Sequence, residues 1–398
     1  ISCSLVGSEM CIRDRFFLVL LLLPDWYLYR YYIRPYGKNH PLRRVFWLPS
    51  LLLLLALVVF IIGWEQLNSY MGTYLIIALC IAIPKSLFAL FHLLGRGLSA
   101  LIPPLRGKKI TRLSVTGNLL IALATVAYML FGAIKGKEFF QVREVTFASR
   151  DLPAEFDGYR ILQLSDMHTG SWGNNPAALE KAVRLCNAQH PDLAVFTGDL
   201  VNHNADEVLP FMQTLSKLQA RDGVYSILGN HDYATYARWD NPAQQQANVD
   251  SLIEREKRMG WQLLLNEHRI IRRGNDSIAL VGVENSGNPP FPDRADLKAA
   301  LKDTGTLFKV LLSHDPTHWR REVLPDTDIQ LMLAGHTHDM QISVFGFSIS
   351  RFIYPEHNGL YTEGGRGLYV NIGLGHILFP MRLGAWPEIT LITLRKQQ

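Results

Sequence analysis

Five short segments carry the side chains of this chain that can hold hard or borderline metal ions. They are Asp166-Met167-His168, Gly198-Asp199, Gly229-Asn230-His231-Asp232, His314 within Ser-His-Asp, and Gly335-His336-Thr337-His338. Carboxylate, amide oxygen and imidazole together suit Mn, Fe, Zn or Co rather than a soft-metal site. Taken singly, an Asp or Asn after a strand is ordinarily a turn residue or a helix cap, and a lone His a surface or core residue. The signal is the joint order: each segment follows a short apolar run of strand length. Together they describe a pocket for two metal ions, an arrangement that hydrolyses phosphate esters by clamping the phosphoryl group and acidifying a shared water.

The elements that must position these residues are legible around them. Ile161–Leu164, Leu193–Thr197, Val224–Leu228, Ile278–Val283, Lys309–Leu312 and Gln330–Leu333 read as buried strands, and Pro176–Gln189, Glu207–Leu218 and Val249–Met259 have helical spacing. Gly367–Leu374 and Pro387–Leu394 are strand-like pieces of a Gly-rich tail. The pattern predicts an α/β layered domain. Ligands at the carboxyl ends of its strands share one edge, where such folds open their functional crevice. In extended chain, the i and i+2 residues of Asp166-x-His168 and His336-x-His338 face one side.

On these five motifs, taken in order over roughly residues 155–398, the chain resembles the calcineurin-like metallophosphoesterase family. The resemblance implies a four-layer α/β/β/α sandwich and two divalent or trivalent ions, with Mn, Fe or Zn as candidates. Asp166, His168 and His338 would hold the first ion, Asn230, His314 and His336 the second, and Asp199 would bridge them. His231 would be the non-ligand catalytic histidine, donating to the leaving oxygen after a metal-bridging hydroxide attacks phosphorus. Asp232 and Asp315 either orient the neighbouring imidazoles or cap helices. One departure stands out: Asp339-Met340-Gln341 follows the last motif where relatives carry glycine. Asp339 either accepts an imidazole N–H, narrows the pocket or repels an anion. Glu284-Asn285, Asn202-His203, a lid over Tyr233–Asn248, and Arg366, Arg382 and His376 are softer candidates for substrate contact. The tail resembles the family branch of membrane-linked or exported phosphodiesterases that act on lipid-derived substrates.

Of the 398 residues, 48% are hydrophobic, and the excess lies ahead of residue 138. Phe16–Leu23, Val45–Trp64, Tyr70–Leu94 and Leu113–Ile134 read as about four membrane spans, the first truncated. Pro84-Lys85 should either kink the third or end it, with Lys85 snorkelling to the interface. Residues 16–138 hold 13 Lys+Arg against 3 Asp+Glu, and residues 139–398 hold 25 against 30. The basic loops 25–44 and 95–112 are expected in the cytoplasm and the catalytic part outside it, in a plasma or inner membrane. The mildly acidic catalytic part predicts no nucleic-acid partner. Leu5 to Arg15 reads as the translation of a transposon-type sequencing adapter, so residues 1–15 are expected to be an artefact rather than a native polar N-terminus. The expected organisation is then 1–15 artefact, 16–138 transmembrane region and 139–398 metallophosphoesterase domain. The function read from all this is a membrane-anchored phosphoesterase acting on a phosphodiester or diphosphate. A tether suggests a lipid-linked substrate, with a soluble phosphodiester or nucleotide as the enzymatic alternative. The non-enzymatic alternative is a receptor or scaffold that retains the fold.

Overall fold

A computed structural model describes residues 18–63, 67, 70–102 and 108–397; the adapter-like residues 1–15 lie outside them. The chain divides into two compact units, residues 1–134 with 378–380, and residues 135–377 with 381–398.

In the first unit, three helices among the described residues are long and apolar enough to cross a membrane: Leu42–Ile62, Met71–Leu101 and Ser114–Ile134. The first expected span is helical from 18 to 28 and continues as a π-turn over Tyr29–Ile33, so Asp25 lies in a helix rather than in a loop. Met71–Leu101 runs unbroken through Pro84. Lys85 does not snorkel. Its Nζ lies 2.8 Å from Asp25 Oδ1 and 3.0 Å from Ser50 Oγ, and Ser50 in turn donates to the other Asp25 oxygen. Asp25 and Ser50 are fully buried. An acid and a base that are each costly in hydrocarbon thereby neutralise one another across three helices.

The second unit contains twelve described strands: β1 Gln141–Ser149, β2 Arg160–Leu164, β3 Leu193–Phe196, β4 Val224–Ser226, β5 Gln262–Leu263, β6 Glu267–Arg273, β7 Asp276–Gly282, β8 Phe308–Leu312, β9 Leu331–Ala334, β10 Gly359–Glu363, β11 Arg366–Val370 and β12 Glu388–Lys396. They form two six-stranded sheets ordered β1-β12-β2-β3-β4-β5 and β10-β11-β9-β8-β7-β6. Both are mixed, with β2-β3-β4-β5 parallel in one and β7-β8-β9-β11 parallel in the other.

Period-two alternation explains the layering. Leu162, Ala194 and Phe196 face the helices Ala177–Asn187 and Pro242–Arg258. Ile161, Leu193 and Val195 face the other sheet, where they meet Leu280, Val310 and Leu333. Val281, Leu311 and Met332 point outward onto Leu297, Trp319 and Val323. Three apolar layers therefore separate four layers of secondary structure, an α/β/β/α sandwich. Two helix expectations change. Asn241 caps Pro242 at the start of a helix reaching Arg258, earlier than Val249. Around Pro210, the expected helix over 207–218 becomes a 3₁₀ stretch followed by one short α-turn.

Removing the Lys85 charge leaves Asp25 buried and unpaired. Lys85→Met should destabilise the full chain in detergent by about 3–5 kcal/mol, read as a lowered thermal midpoint. The Asp25→Asn/Lys85→Met pair should recover much of that loss. Equal midpoints for the single and double variants would show that the pair is not coupled.

Candidate metal centre

Every donor expected from the sequence sits just past the carboxyl end of a parallel strand: β2 leads to Asp166 and His168, β3 to Asp199, β4 to Asn230 and His231, β8 to His314, and β9 to His336 and His338. The two sheets bring these ends together. Asp166, His168 and His338 form one cluster and Asp199, His314 and His336 another, with the ligand atoms of each cluster within 4.8 Å of one another. Asp199 Oδ2 faces both, lying 3.6 Å from His168 Nε2 and 3.2 Å from His314 Nε2. Asn230 stands beside them. The following N–H, from His231, donates to Asp199 Oδ1 at 2.8 Å.

The backbone is bent hard to achieve this. Asp166, His168, Asp199, His336 and His338 all have φ between 48° and 75°, a left-handed conformation that costs most non-glycine residues energy and that gathers at functional sites. Glycine is required where ligand loops touch. A Cβ on Gly335 would lie 1.9 Å from Ser165 Oγ and 2.3 Å from Asp166 Oδ2, and one on Gly229 would lie 2.2 Å from Asp199 Oδ1.

The outward-facing polar atoms are nearly all tied down. His314 Nδ1 lies 2.7 Å from the Thr197 carbonyl, leaving Nε2 to face the pocket. His336 Nε2 lies 3.0 Å from Tyr354 Oη, leaving Nδ1 inward. Asn230 Nδ2 donates to Tyr236 Oη at 2.9 Å, and its buried Oδ1 has no partner among the described residues. Inside, His168 Nε2 and His338 Nε2 approach to 3.0 Å, and His336 Nδ1 and His314 Nε2 to 3.3 Å. A proton can serve only one nitrogen of each pair. Lone pairs and carboxylates converging in a dry pocket fit a bound cation.

The electrostatics agree. Burial disfavours the His314 cation, yet the adjacent Asp199 carboxylate overrides it and lifts its pKa to about 10. Burial likewise opposes the Asp199 charge, but His314 and His231 hold its pKa well below the ordinary carboxylate range. Burial, reinforced by His231 and His338, pushes His168 well down. The pocket thus supplies negative charge and wants positive charge in return.

His231 stands apart from both clusters. Its Nδ1 lies 2.8 Å from the Asn202 carbonyl, its ring meets His168 edge-on at 4.9 Å, and Tyr236 packs on it at 4.3 Å.

Asp232 neither orients the His231 ring nor caps a helix. Its carboxylate accepts the N–H groups of Asp199, Gly229, Leu200 and Val201 at 2.8–3.1 Å, pinning the β3 and β4 loops together. Burial and the Asp199 charge raise its pKa to about 7, against these donors. Asp315 caps the following turn through Thr317 N–H.

Asp339 is buried, with Oδ2 accepting from Asn358 and Oδ1 facing His357 at 3.9 Å. The group at His338 Nδ1 is instead Arg382 Nη2, at 3.1 Å. Arg382 is fully buried and also donates to the carbonyls of Gly375, Ala385 and Ile372, so it is a brace rather than a phosphate contact. Arg366 is likewise spent on the carbonyls of Ile329, Leu324 and Val323. His376 is buried against Trp172, and Glu284 accepts from Tyr233 and Asn266. Asn202 contributes its carbonyl, and His203 is exposed. Of the expected lid, residues 242–248 belong to a helix, and only Tyr236 of the preceding loop reaches the site. Tyr354 and Phe291, both packed on His336, carried no motif that could have flagged them.

Comparison with known proteins identifies the family. A family model described as calcineurin-like phosphoesterase matches residues 159–340. The uncharacterized metallophosphoesterase YkuE of Bacillus subtilis is 32% identical over 269 residues, covering 64% of this chain and 85% of that one. The chain belongs to the calcineurin-like metallophosphoesterase family. Members of the family are metal-dependent phosphoesterases, and the two carboxylate–imidazole clusters are groups that could hold a metal ion. A second model, described as a probable calcineurin-like phosphoesterase transmembrane domain, matches residues 9–137. With the three spans, it makes this family member a membrane protein. The "Transmembrane protein with metallophosphoesterase domain" of Danio rerio is 28% identical over 344 residues, covering 84% of this chain and 74% of that one. The UDP-2,3-diacylglucosamine pyrophosphatase LpxG of Chlamydia trachomatis is 28% identical over 286 residues, 58% of this chain and 83% of that one.

Asp232→Asn turns an amide NH₂ toward backbone donors and loosens the Asp199 loop without removing a ligand. Metal affinity should fall about 10–100-fold, measured by Mn²⁺ titration of the full chain. Unchanged affinity would show that the loop holds without this carboxylate.

Proposed function

We propose that this membrane protein hydrolyses a phosphodiester or diphosphate bond with two metal ions, one held by Asp166, His168 and His338 and the other by Asn230, His314 and His336, with Asp199 shared. The observation that carries this reading is Asp199 Oδ2, which faces an imidazole of each cluster at 3.6 and 3.2 Å. A carboxylate with two oxygens is the natural bridge. Bound there, the ions would supply Lewis-acid charge at the phosphoryl group and an acidified water as nucleophile.

The chain's own residues do the rest. The Asn202 carbonyl fixes the His231 ring through Nδ1, so Nε2 is the atom left to hold a proton for the leaving oxygen. The pocket lining is dry and preorganised, which strengthens every charge interaction inside it. Mn, Fe and Zn all suit the donor set.

A lipid-linked phosphoester is the substrate class we favour. The support is the membrane region in the same chain and the similarity to a pyrophosphatase whose name specifies a diacylated sugar nucleotide. We further place the catalytic unit outside the cytoplasm, because 25–44 and 95–112 are the basic loops.

Purified full chain in detergent, loaded separately with Mn²⁺, Zn²⁺ or Fe²⁺, should cleave an aryl phosphodiester. His231→Ala should keep its metal and lose about 10²–10⁴-fold in turnover, whereas Asp199→Asn should lose metal as well. Wild-type turnover in His231→Ala would sink the proton-donor role. For orientation, a periplasmically active reporter fused after Gln398 should give signal, and a cytoplasmically active one should not; the reverse result would overturn the topology.

A further inference from the structure

The most exposed apolar surface of the second unit is one short segment between two parts of the metal centre. Six of its nine exposed large apolar side chains, Val344, Phe345, Phe347, Ile349, Phe352 and Ile353, fall within ten residues; the other three are scattered. Phe345 is wholly exposed and Phe352 is 77% exposed. The segment's one charged residue is Arg351, whose guanidinium lies 5.5 Å from the Phe347 ring.

The segment is a built structure. Val344 and Phe347 exchange both backbone hydrogen bonds, closing a two-residue turn with Phe345 at φ 53° and Gly346 at φ 77°. That turn prefers Asn or Gly at its first position. Placing a phenylalanine there, fully in water, is unfavourable in backbone and in solvation alike. The turn is also anchored at both ends. Ser348 Oγ donates to the carbonyl of Asp339, next to His338, and Tyr354 closes the segment against His336. Tyr354 N–H donates to the Ser350 carbonyl, which ties the aromatic tip to the site wall.

We infer that residues 344–353 insert into the bilayer surface beside the catalytic pocket. Large apolar side chains with a flanking arginine and few other charges are the composition of interfacial anchors, with the guanidinium at the headgroups. The occupant follows from the chain itself. Only residues 135–140 join the last span to β1, and so short a connector reaches no more than about 25 Å. A bilayer is therefore always within the domain's reach. The inserted tip would set the pocket mouth at headgroup depth, where a phosphoester of a lipid can enter without leaving the membrane. This last step rests on the lipid-linked reading above; insertion itself does not.

The test uses the full chain in phosphatidylcholine–phosphatidylglycerol vesicles, spin-labelled at Phe345→Cys, with Lys302→Cys and the unsubstituted chain as controls. The label at 345 should be shielded from a water-soluble relaxant and exposed to oxygen, at a depth of about 5–10 Å. Relaxant access equal to that at 302 would overturn the inference. So would dipolar broadening between labels with water access retained, which would mean that a second copy covers the face. Separately, Phe345→Ser/Phe352→Ser should keep turnover of a soluble aryl phosphodiester and lose about tenfold on a phosphoester embedded in vesicles. A shielded label with no such split would leave insertion standing and remove the lipid-substrate reading.

Discussion

Carboxylates and imidazole lone pairs do not gather in a dry pocket unless something positive joins them, and that constraint organises the second unit. Asp166 and Asp199 are essentially inaccessible to water, and the imidazoles of His168, His314 and His338 crowd them. The peripheral hydrogen bonds decide which atoms face inward. The Thr197 carbonyl takes the outer nitrogen of His314, the Tyr354 hydroxyl that of His336, and the Tyr236 hydroxyl the amide of Asn230. Each outer bond commits one polar atom and leaves the other facing the centre. The two clusters are thus preorganised by groups that lie outside them.

That preorganisation has a backbone cost, which the sandwich offsets. Five residues of the two clusters sit at left-handed φ, each at a cost of about 1–2 kcal/mol. Such strain persists only when the surroundings over-determine it. Here the surroundings are three apolar layers that fix the strand ends, the Asp232 carboxylate that gathers four N–H groups from two loops, and glycines at 229 and 335 where no Cβ fits.

The same distinction explains what could be read from the sequence. The candidate ligands are legible because chemistry dictates residue type: a carboxylate, amide or imidazole at 166, 230 or 314 is the kind of group that could hold a metal ion. The groups that orient them are carbonyls of Thr197 and Asn202, which any residue would supply, so no pattern marks them. The central strands β2, β3, β8 and β9 read as short, mostly apolar runs. The edge strands β1 and β6 did not, because Gln141–Ser149 and Glu267–Arg273 are half-exposed and carry charge. Asp25 looked like a loop acid because its partner, Lys85, lies 60 residues away on another helix. Pro84 suggested a break, yet the helix continues. Neighbouring helices can re-satisfy a freed carbonyl.

His338 shows where the inner and outer arrangements meet. A guanidinium only donates, so Arg382 Nη2 at 3.1 Å makes His338 Nδ1 an acceptor and places the neutral ring's proton on Nε2, opposite Asp166 Oδ1 at 3.2 Å. A cation held by Asp166 and His338 needs that same Nε2 lone pair. Binding therefore requires the proton to leave Nε2, either to solvent or to Nδ1. If it moves to Nδ1, the Arg382 contact turns from attraction to a clash of donors. Arg382 can tolerate this, because three backbone carbonyls hold its other N–H groups in place. The buried arginine is thus a brace for the backbone at Ile372, Gly375 and Ala385 and, at the same time, an outer group that opposes the His338 tautomer a cation at Nε2 would need.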